Sequence, residues 1–112
     1  MTVGYITVDC INPLRLAAFW SAVLRYTNKG GDENWAEIGP IDGTGVPMLF
    51  QRVPERKGVK NRVHVDLNAS DYSTELRHGL TMGGDYADGY ERLETTSVLL
   101  DPQGNEFCLS SW

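Results

Sequence analysis

Apolar and polar residues alternate along the middle of the chain, Asn61-Arg62-Val63-His64-Val65-Asp66-Leu67-Asn68. Successive side chains of a strand point to opposite faces, so this pattern predicts a half-buried strand. Val63, Val65 and Leu67 are expected on one face, and Arg62, His64 and Asp66 on the other. Residues 3–10 alternate in the same way, with Ile6, Val8 and Cys10 opposed to Tyr5, Thr7 and Asp9. Asn12-Pro13 is a helix-start signal. Leu16, Phe19, Trp20, Val23 and Leu24 then recur at spacings of three and four, which predicts an amphipathic helix to about Tyr26. Lys29-Gly30-Gly31-Asp32 is expected to stop it.

Short strands are expected over 35–38 and 47–53, on either side of a loop at Asp42-Gly43-Thr44-Gly45. The stretch with Pro54 and Gly58 reads as a linker or long turn. Ser70-Asp71 is a second N-cap, and Tyr72, Leu76 and Leu80 mark a second helix ending at Gly83-Gly84. A short strand near Tyr86, a longer one over 94–100, a turn at Asp101-Pro102-Gln103-Gly104-Asn105 and a last strand over 106–111 complete the chain.

The order is strand, helix, two or three strands, and then the same again. Val8-Asp9 matches Val65-Asp66 at an offset of 57, and the helix starts Asn12-Pro13 and Asp71-Tyr72 match at 59. An internal duplication decides the fold. The expected fold is α+β, with two βαβββ modules, about 1–55 and 60–112, in a single domain forming a curled mixed sheet around a cup. Ile6, Val8, Val63, Val65, Phe107 and Leu109 suit the helix-covered face. Tyr5, Thr7, Asp9, Gln51, Arg62, His64, Asp66, Glu106 and Cys108 are the polar alternates expected to point into the cup, and Trp35 either lines it or covers the helix. A concave site with a few convergent polar groups is where a small ligand is expected.

Charge and composition narrow the partners. The 112 residues suffice for one domain with its own core. A net charge of -5 disfavours nucleic acid. Arg52, Arg56, Lys57, Lys60 and Arg62 nevertheless concentrate half of the basic residues in one stretch of about +4, leaving about -9 elsewhere. That stretch is a solvated face or an attractor for an anionic ligand. No apolar run approaches the roughly 20 residues that span a bilayer. The start of the chain lacks a signal-peptide pattern. Two cysteines, Cys10 and Cys108, are too few for a disulfide scaffold, and the expected compartment is the cytoplasm.

Four motifs carry a family resemblance: Asn-Pro-Leu-Arg-Leu-Ala-Ala-Phe-Trp (12–20), Leu-Phe-Gln-Arg-Val-Pro-Glu (49–55), Asn-Arg-Val-His-Val-Asp-Leu (61–67) and Asp-Pro-Gln-Gly-Asn-Glu-Phe (101–107). Together they resemble the glyoxalase-like branch of the vicinal-oxygen-chelate superfamily, which includes glyoxalase I, extradiol dioxygenases, fosfomycin-resistance enzymes and bleomycin-binding proteins. The resemblance implies one divalent metal held by the first and fourth strands of each module. On this chain those positions fall on Tyr5 or Thr7, near Gln51, on His64, and on Cys108 with Glu106 one step before it on the same face. His64, Gln51 and Glu106 are the candidate metal ligands, and Glu106 the candidate for proton transfer. His64 has two further readings, a metal-free hydrogen-bond partner or general base, and a structural histidine. Two functions follow from the resemblance. One is a metal-dependent lyase acting on a small oxygen-rich substrate. The other is a metal-free binding or sequestration protein. Either way the partner is a small molecule, neither nucleic acid nor membrane, and the assembly implied is a homodimer with the cup formed within one chain or across two.

Overall fold

One asparagine cap and one aspartate cap set where the two helices begin. The structure, a computed structural model, describes all of residues 1–112. Strand β1 (Ile6–Cys10) is followed by Asn12, whose side chain accepts from the Arg15 N–H and starts helix α1 (Pro13–Leu24) with proline in its first turn. Asp71 does the same for helix α2 (Tyr72–Thr81), accepting from the Thr74 N–H. Such caps satisfy amide groups that have no partner inside the helix. The remaining strands are β2 (Thr27–Gly31), β3 (Trp35–Gly39), β4 (Met48–Arg52), β5 (Asp66–Asn68), β6 (Asp85–Tyr86), β7 (Thr96–Leu100) and β8 (Glu106–Ser110). The element order is therefore βαβββ twice, in an α+β fold. Two compact units divide the chain, Met1–Lys57 and Gly58–Trp112.

In the first unit the sheet order is β1-β4-β3-β2, with β1 and β4 parallel and the other pairs antiparallel. The apolar stripe of α1 covers one face. Leu16, Phe19, Ile38 and Phe50 are essentially inaccessible to solvent, and Ala36 and Met48 are buried with them. Phe19 and Trp20 meet edge to face at 5.5 Å. Each large apolar side chain buried this way contributes roughly 1.5–3 kcal/mol, so this face holds the unit together.

The first helix ends close to Tyr26, as its spacing predicts, but Lys29-Gly30-Gly31-Asp32 is not what stops it. It ends at Arg25, which takes the left-handed conformation (φ 55°), while the Tyr26 N–H bonds back to the Ser21 carbonyl. The residues expected to be a stop are instead β2, an edge strand paired with β3 through a bulge between Asn28 and Gly30. Its sequence, Thr-Asn-Lys-Gly-Gly, has no apolar alternation, so backbone pairing alone makes the strand. Gly31 is required there. Its φ is 156°, and a Cβ on it would run into the Trp35 carbonyl.

In the second unit the order is β5-β8-β7-β6, with β5 and β8 parallel. Leu99, Phe107 and Leu109 form the buried face, and the Tyr72 hydroxyl of α2 reaches the buried Ser97 hydroxyl of β7. The central strand is shorter than the alternation over 61–68 predicts. Only Asp66–Asn68 is regular strand, and Val63, expected in the core, is 83% exposed. The reason is tertiary. The Asn61 N–H donates to the Glu106 carboxylate and the Asn61 side chain to the Glu106 carbonyl, while pairing to β8 begins only where the Cys108 N–H meets the Val65 carbonyl. The chain between these points follows the tie at Asn61 and makes no ladder.

The two offsets of the repeat are both correct, each for its own element. The pair Asp9–Gln51 recurs as Asp66–Cys108, at an offset of 57 for both partners. The caps Asn12 and Asp71 recur at 59, because two more residues separate strand from cap in the second unit. Thr7 is thus the strand counterpart of His64.

The turn before β8 is built on Asp101, which is buried and accepts from the Gln103 and Asn105 N–H groups and from the Asn105 side chain. Replacing Asp101 with Ala is expected to cost about 2–3 kcal/mol, since several hydrogen bonds to one buried carboxylate are lost together. Gly31→Ala is expected to cost about 1–3 kcal/mol, from a strained backbone and a clash with backbone atoms. Urea unfolding of each variant against the wild type measures both, and a change within about 0.5 kcal/mol contradicts the corresponding account.

Candidate functional site

The face of each sheet that its helix leaves uncovered carries the polar alternates. In the first unit, strand register sets Asp9, Gln51 and Trp35 side by side in one row across β1, β4 and β3. All three are exposed, the Trp35 indole by 47%. The next row holds Thr7, Leu49 and Glu37. Glu37 accepts from the Tyr5 hydroxyl at 3.2 Å and from the Lys29 ammonium at 3.4 Å. Thr7, Asp9 and Gln51, expected to share a face, therefore stand in two adjoining rows, Tyr5 reaches the second of these through Glu37, and Trp35, for which two placements were open, stands in the first.

In the second unit the corresponding row is Asp66, Cys108 and Val98. His64, just before β5, meets Asp66 through an Nδ1–Oδ1 hydrogen bond of 2.7 Å. The donor atoms of His64, Asp66 and Cys108 all lie within 4.8 Å of one another. A small cleft of about 50 Å³ adjoins them, lined by Lys60, Tyr90 and Glu106 together with His64 and Cys108. Arg62, the other polar alternate of this stretch, is exposed and does not line the cleft.

The thiol in this cluster is kept protonated. Burial pushes the Cys108 thiol up, and the Asp66 carboxylate pushes it the same way by its charge and by accepting the thiol hydrogen bond, against a weaker pull from Lys60. A nucleophilic cysteine needs the opposite environment. Cys10 is buried in the first unit, and its thiol donates to the Gln51 carbonyl at 3.7 Å.

The metal ligands implied by the resemblance fit this chain poorly. Glu106 is only 8% exposed, and both of its carboxylate oxygens accept from the Asn61 N–H. Its place is structural, tying the segment before β5 to β8. Gln51, a primary amide beside Asp9 and Trp35, is a weak ligand, and His64 is hydrogen-bonded to Asp66. Asp66 was expected as a pocket residue and turns out to be the centre of the cluster. The alternation that put it on the face of His64 was the available signal. Lys60 and Tyr90 were missed: Lys60 reads as one more charge of the basic stretch, and Tyr90 lies in a loop with no periodic pattern.

Alkylation with iodoacetamide checks the electrostatics of Cys108. A raised pKa lowers the thiolate fraction at pH 8, so Cys108 is expected to react more slowly than a free cysteine. Asp66→Asn removes the charge that holds the proton on and is expected to speed the reaction several-fold. Lys60→Gln removes the opposing charge and is expected to slow it. Equal rates in all three proteins contradict this picture.

A family model described as a glyoxalase-like domain matches residues 5–110. The fold is similar to that of a glyoxalase/bleomycin resistance protein/dioxygenase family enzyme from Burkholderia phytofirmans PsJN, with a TM-score of 0.74 over 99% of this chain and 98% of that one at 13% identity. It is similar too to a glyoxalase-related enzyme from Fulvimarina pelagi, with a TM-score of 0.73 over 100% of this chain and 88% of that one at 10% identity. A bleomycin-binding protein from bleomycin-producing Streptomyces verticillus, solved in complex with copper(II)-bleomycin, gives a TM-score of 0.61 over 100% and 97% at 13% identity. No curated protein matches the chain. At these identities the solved structures speak to the fold, and the family model covers nearly the whole sequence. The chain belongs to the glyoxalase-like family, within the vicinal-oxygen-chelate superfamily.

Proposed function

We propose that this protein binds a small, planar, oxygen-rich molecule, as a binding or sequestration member of its family, and that the polar face of the first sheet supplies the main contacts. The observation that carries this reading is the row Asp9–Gln51–Trp35. An exposed indole beside a primary amide and a carboxylate offers a flat apolar surface flanked by a donor and by acceptors. Aromatic stacking adds about 0.5–1.5 kcal/mol beyond the area it buries, and the polar neighbours fix the orientation of the ligand. Glu37, Tyr5 and Lys29 form a hydrogen-bonded group on the adjoining row, so that part of the face is already ordered before a ligand arrives. The basic residues Arg52, Arg56 and Lys57 follow Gln51 in the chain and are exposed, and they favour a ligand with anionic substituents. The similar bleomycin-binding protein agrees with a binding role in this fold.

A glyoxalase-type lyase has less support. That chemistry asks for a carboxylate free to move a proton, and the candidate, Glu106, is buried and engaged by Asn61. The family metal positions on the first unit hold Thr7 and Gln51, which are weak ligands compared with histidine and glutamate.

Isothermal titration with metal-free bleomycin and with catechol tests the reading. Saturable binding of at least one probe is expected, weakened roughly tenfold by Trp35→Ala, or about 1.4 kcal/mol. Binding by neither probe, binding that survives both Trp35→Ala and Gln51→Ala, or turnover of a 2-oxoaldehyde–thiol adduct that Glu106→Gln abolishes would each contradict it.

A further inference from the structure

Resting on the binding role proposed for the polar face of the first unit, we infer that the ligand is an aromatic acid, held with its ring on Trp35 and its carboxylate on Lys29. Lys29 is not a regular member of its edge strand. It is the extra residue of the bulge in β2, where Asn28 pairs with Ile38 and Gly30 with Glu37. Two local features build that bulge. Gly30 takes a φ of 75°, and its N–H donates to the Asn28 side chain at 2.9 Å. A bulge re-aims a side chain that a regular strand would send elsewhere. Here the Lys29 side chain lies against β3, its Cε and Nζ each 3.2 Å from where a Cβ on Gly39 would stand. Its ammonium ends 3.4 Å from Glu37 Oε2, the same oxygen that accepts from the Tyr5 hydroxyl. Solubility alone asks for none of these features, because a lysine on a plain edge strand is solvated without them.

The placement suits the anionic end of a ligand. The Glu37 side chain is 22% exposed and that of Lys29 53%. Glu37 therefore steadies the ammonium from the sheet side, and an ammonium has more donors than Glu37 takes. A donor held in place in advance loses less freedom when the ligand arrives. A charge-assisted hydrogen bond to a carboxylate is also roughly twice as strong as a neutral one. Trp35 and Glu37 are alternate residues of β3 on one face, about 7 Å apart. A ring stacked on the indole thus brings a carboxylate on its edge to Lys29. Asp9 fixes the direction. It lies across β4 from Trp35, about two strand spacings or roughly 10 Å away. Its charge repels a carboxylate and accepts from a hydroxyl. The acid end of the ligand is turned toward Lys29, and a ring hydroxyl toward Asp9 and Gln51. A single aromatic ring substituted at both ends spans that distance once a hydrogen bond is added at each end.

Calorimetric titration of the full chain with 4-hydroxybenzoate and with 4-hydroxybenzamide tests the assignment. The two probes are alike in shape and differ in charge at the end offered to Lys29. The acid is expected to bind roughly tenfold or more tightly than the amide. Lys29→Met should bring that ratio close to one. Arg77→Gln, which removes a cation from α2 of the second unit, should preserve it. Trp35→Ala should weaken both probes, and each variant should keep the circular dichroism spectrum of the wild type. Equal affinities for acid and amide, both lowered by Trp35→Ala, would overturn the aromatic-acid assignment and leave the binding role standing. A preference that survives Lys29→Met, or one that Arg77→Gln abolishes, overturns the assignment too. So does binding of neither probe, and if bleomycin and catechol also fail to bind, the binding role falls with it.

Discussion

The parallel pairing of the first strand of each unit with its last is the constraint on which the rest depends. It joins Asp9 to Gln51 and Asp66 to Cys108, residues far apart in sequence. A parallel pair cannot be closed by a tight turn and needs a long crossover. In each unit the helix and two further strands supply that crossover, and the helix covers one face of the sheet it connects. The opposite face is then left to the polar alternates. Everything chemical in this chain follows from which residues those are.

The two units use the same scaffold with different side chains. At matching positions the first carries Thr7, Asp9 and Gln51, and the second His64, Asp66 and Cys108. The first set can donate and accept hydrogen bonds, and with Trp35 alongside it suits an organic ligand. The second set gathers an imidazole, a carboxylate and a thiol within 4.8 Å of one another. A substitution of side chains on a duplicated ladder is enough to change the chemistry, because the backbone geometry that brings the residues together is retained. The motifs that carry the family resemblance divide in the same way. Asp101 and Glu106 serve the fold, one by building a turn and the other by anchoring Asn61, whereas Gln51, His64 and Asp66 face outward.

Much of this was legible in the sequence. Both helices could be placed from a cap and a spacing of three and four, since local chemistry sets their ends. Strands β1, β3, β4, β7 and β8 showed either alternation or short apolar runs bounded by turns. Strand β2 was not legible, because Thr27–Gly31 owes its extended shape to pairing with β3 and to glycine, which leave no apolar signal. The loss of regular strand before Asp66 was equally hidden, since it comes from a bond to Glu106, 45 positions away. The alternation over 61–68 did place His64 and Asp66 on one side, but only the partner strand reveals that Cys108 joins them. Tyr90 gave no signal at all, being a loop residue recruited by tertiary structure.

The central claim is that this family member works by holding a small molecule on the row Asp9–Gln51–Trp35. An amide correlation NMR spectrum recorded while metal-free bleomycin is added reads that row directly. The account predicts progressive shifts of the Trp35 indole N–H and the Gln51 side-chain amide, while the buried Trp20 indole stays in place. Saturable shifts that leave Trp35 and Gln51 unmoved would contradict it.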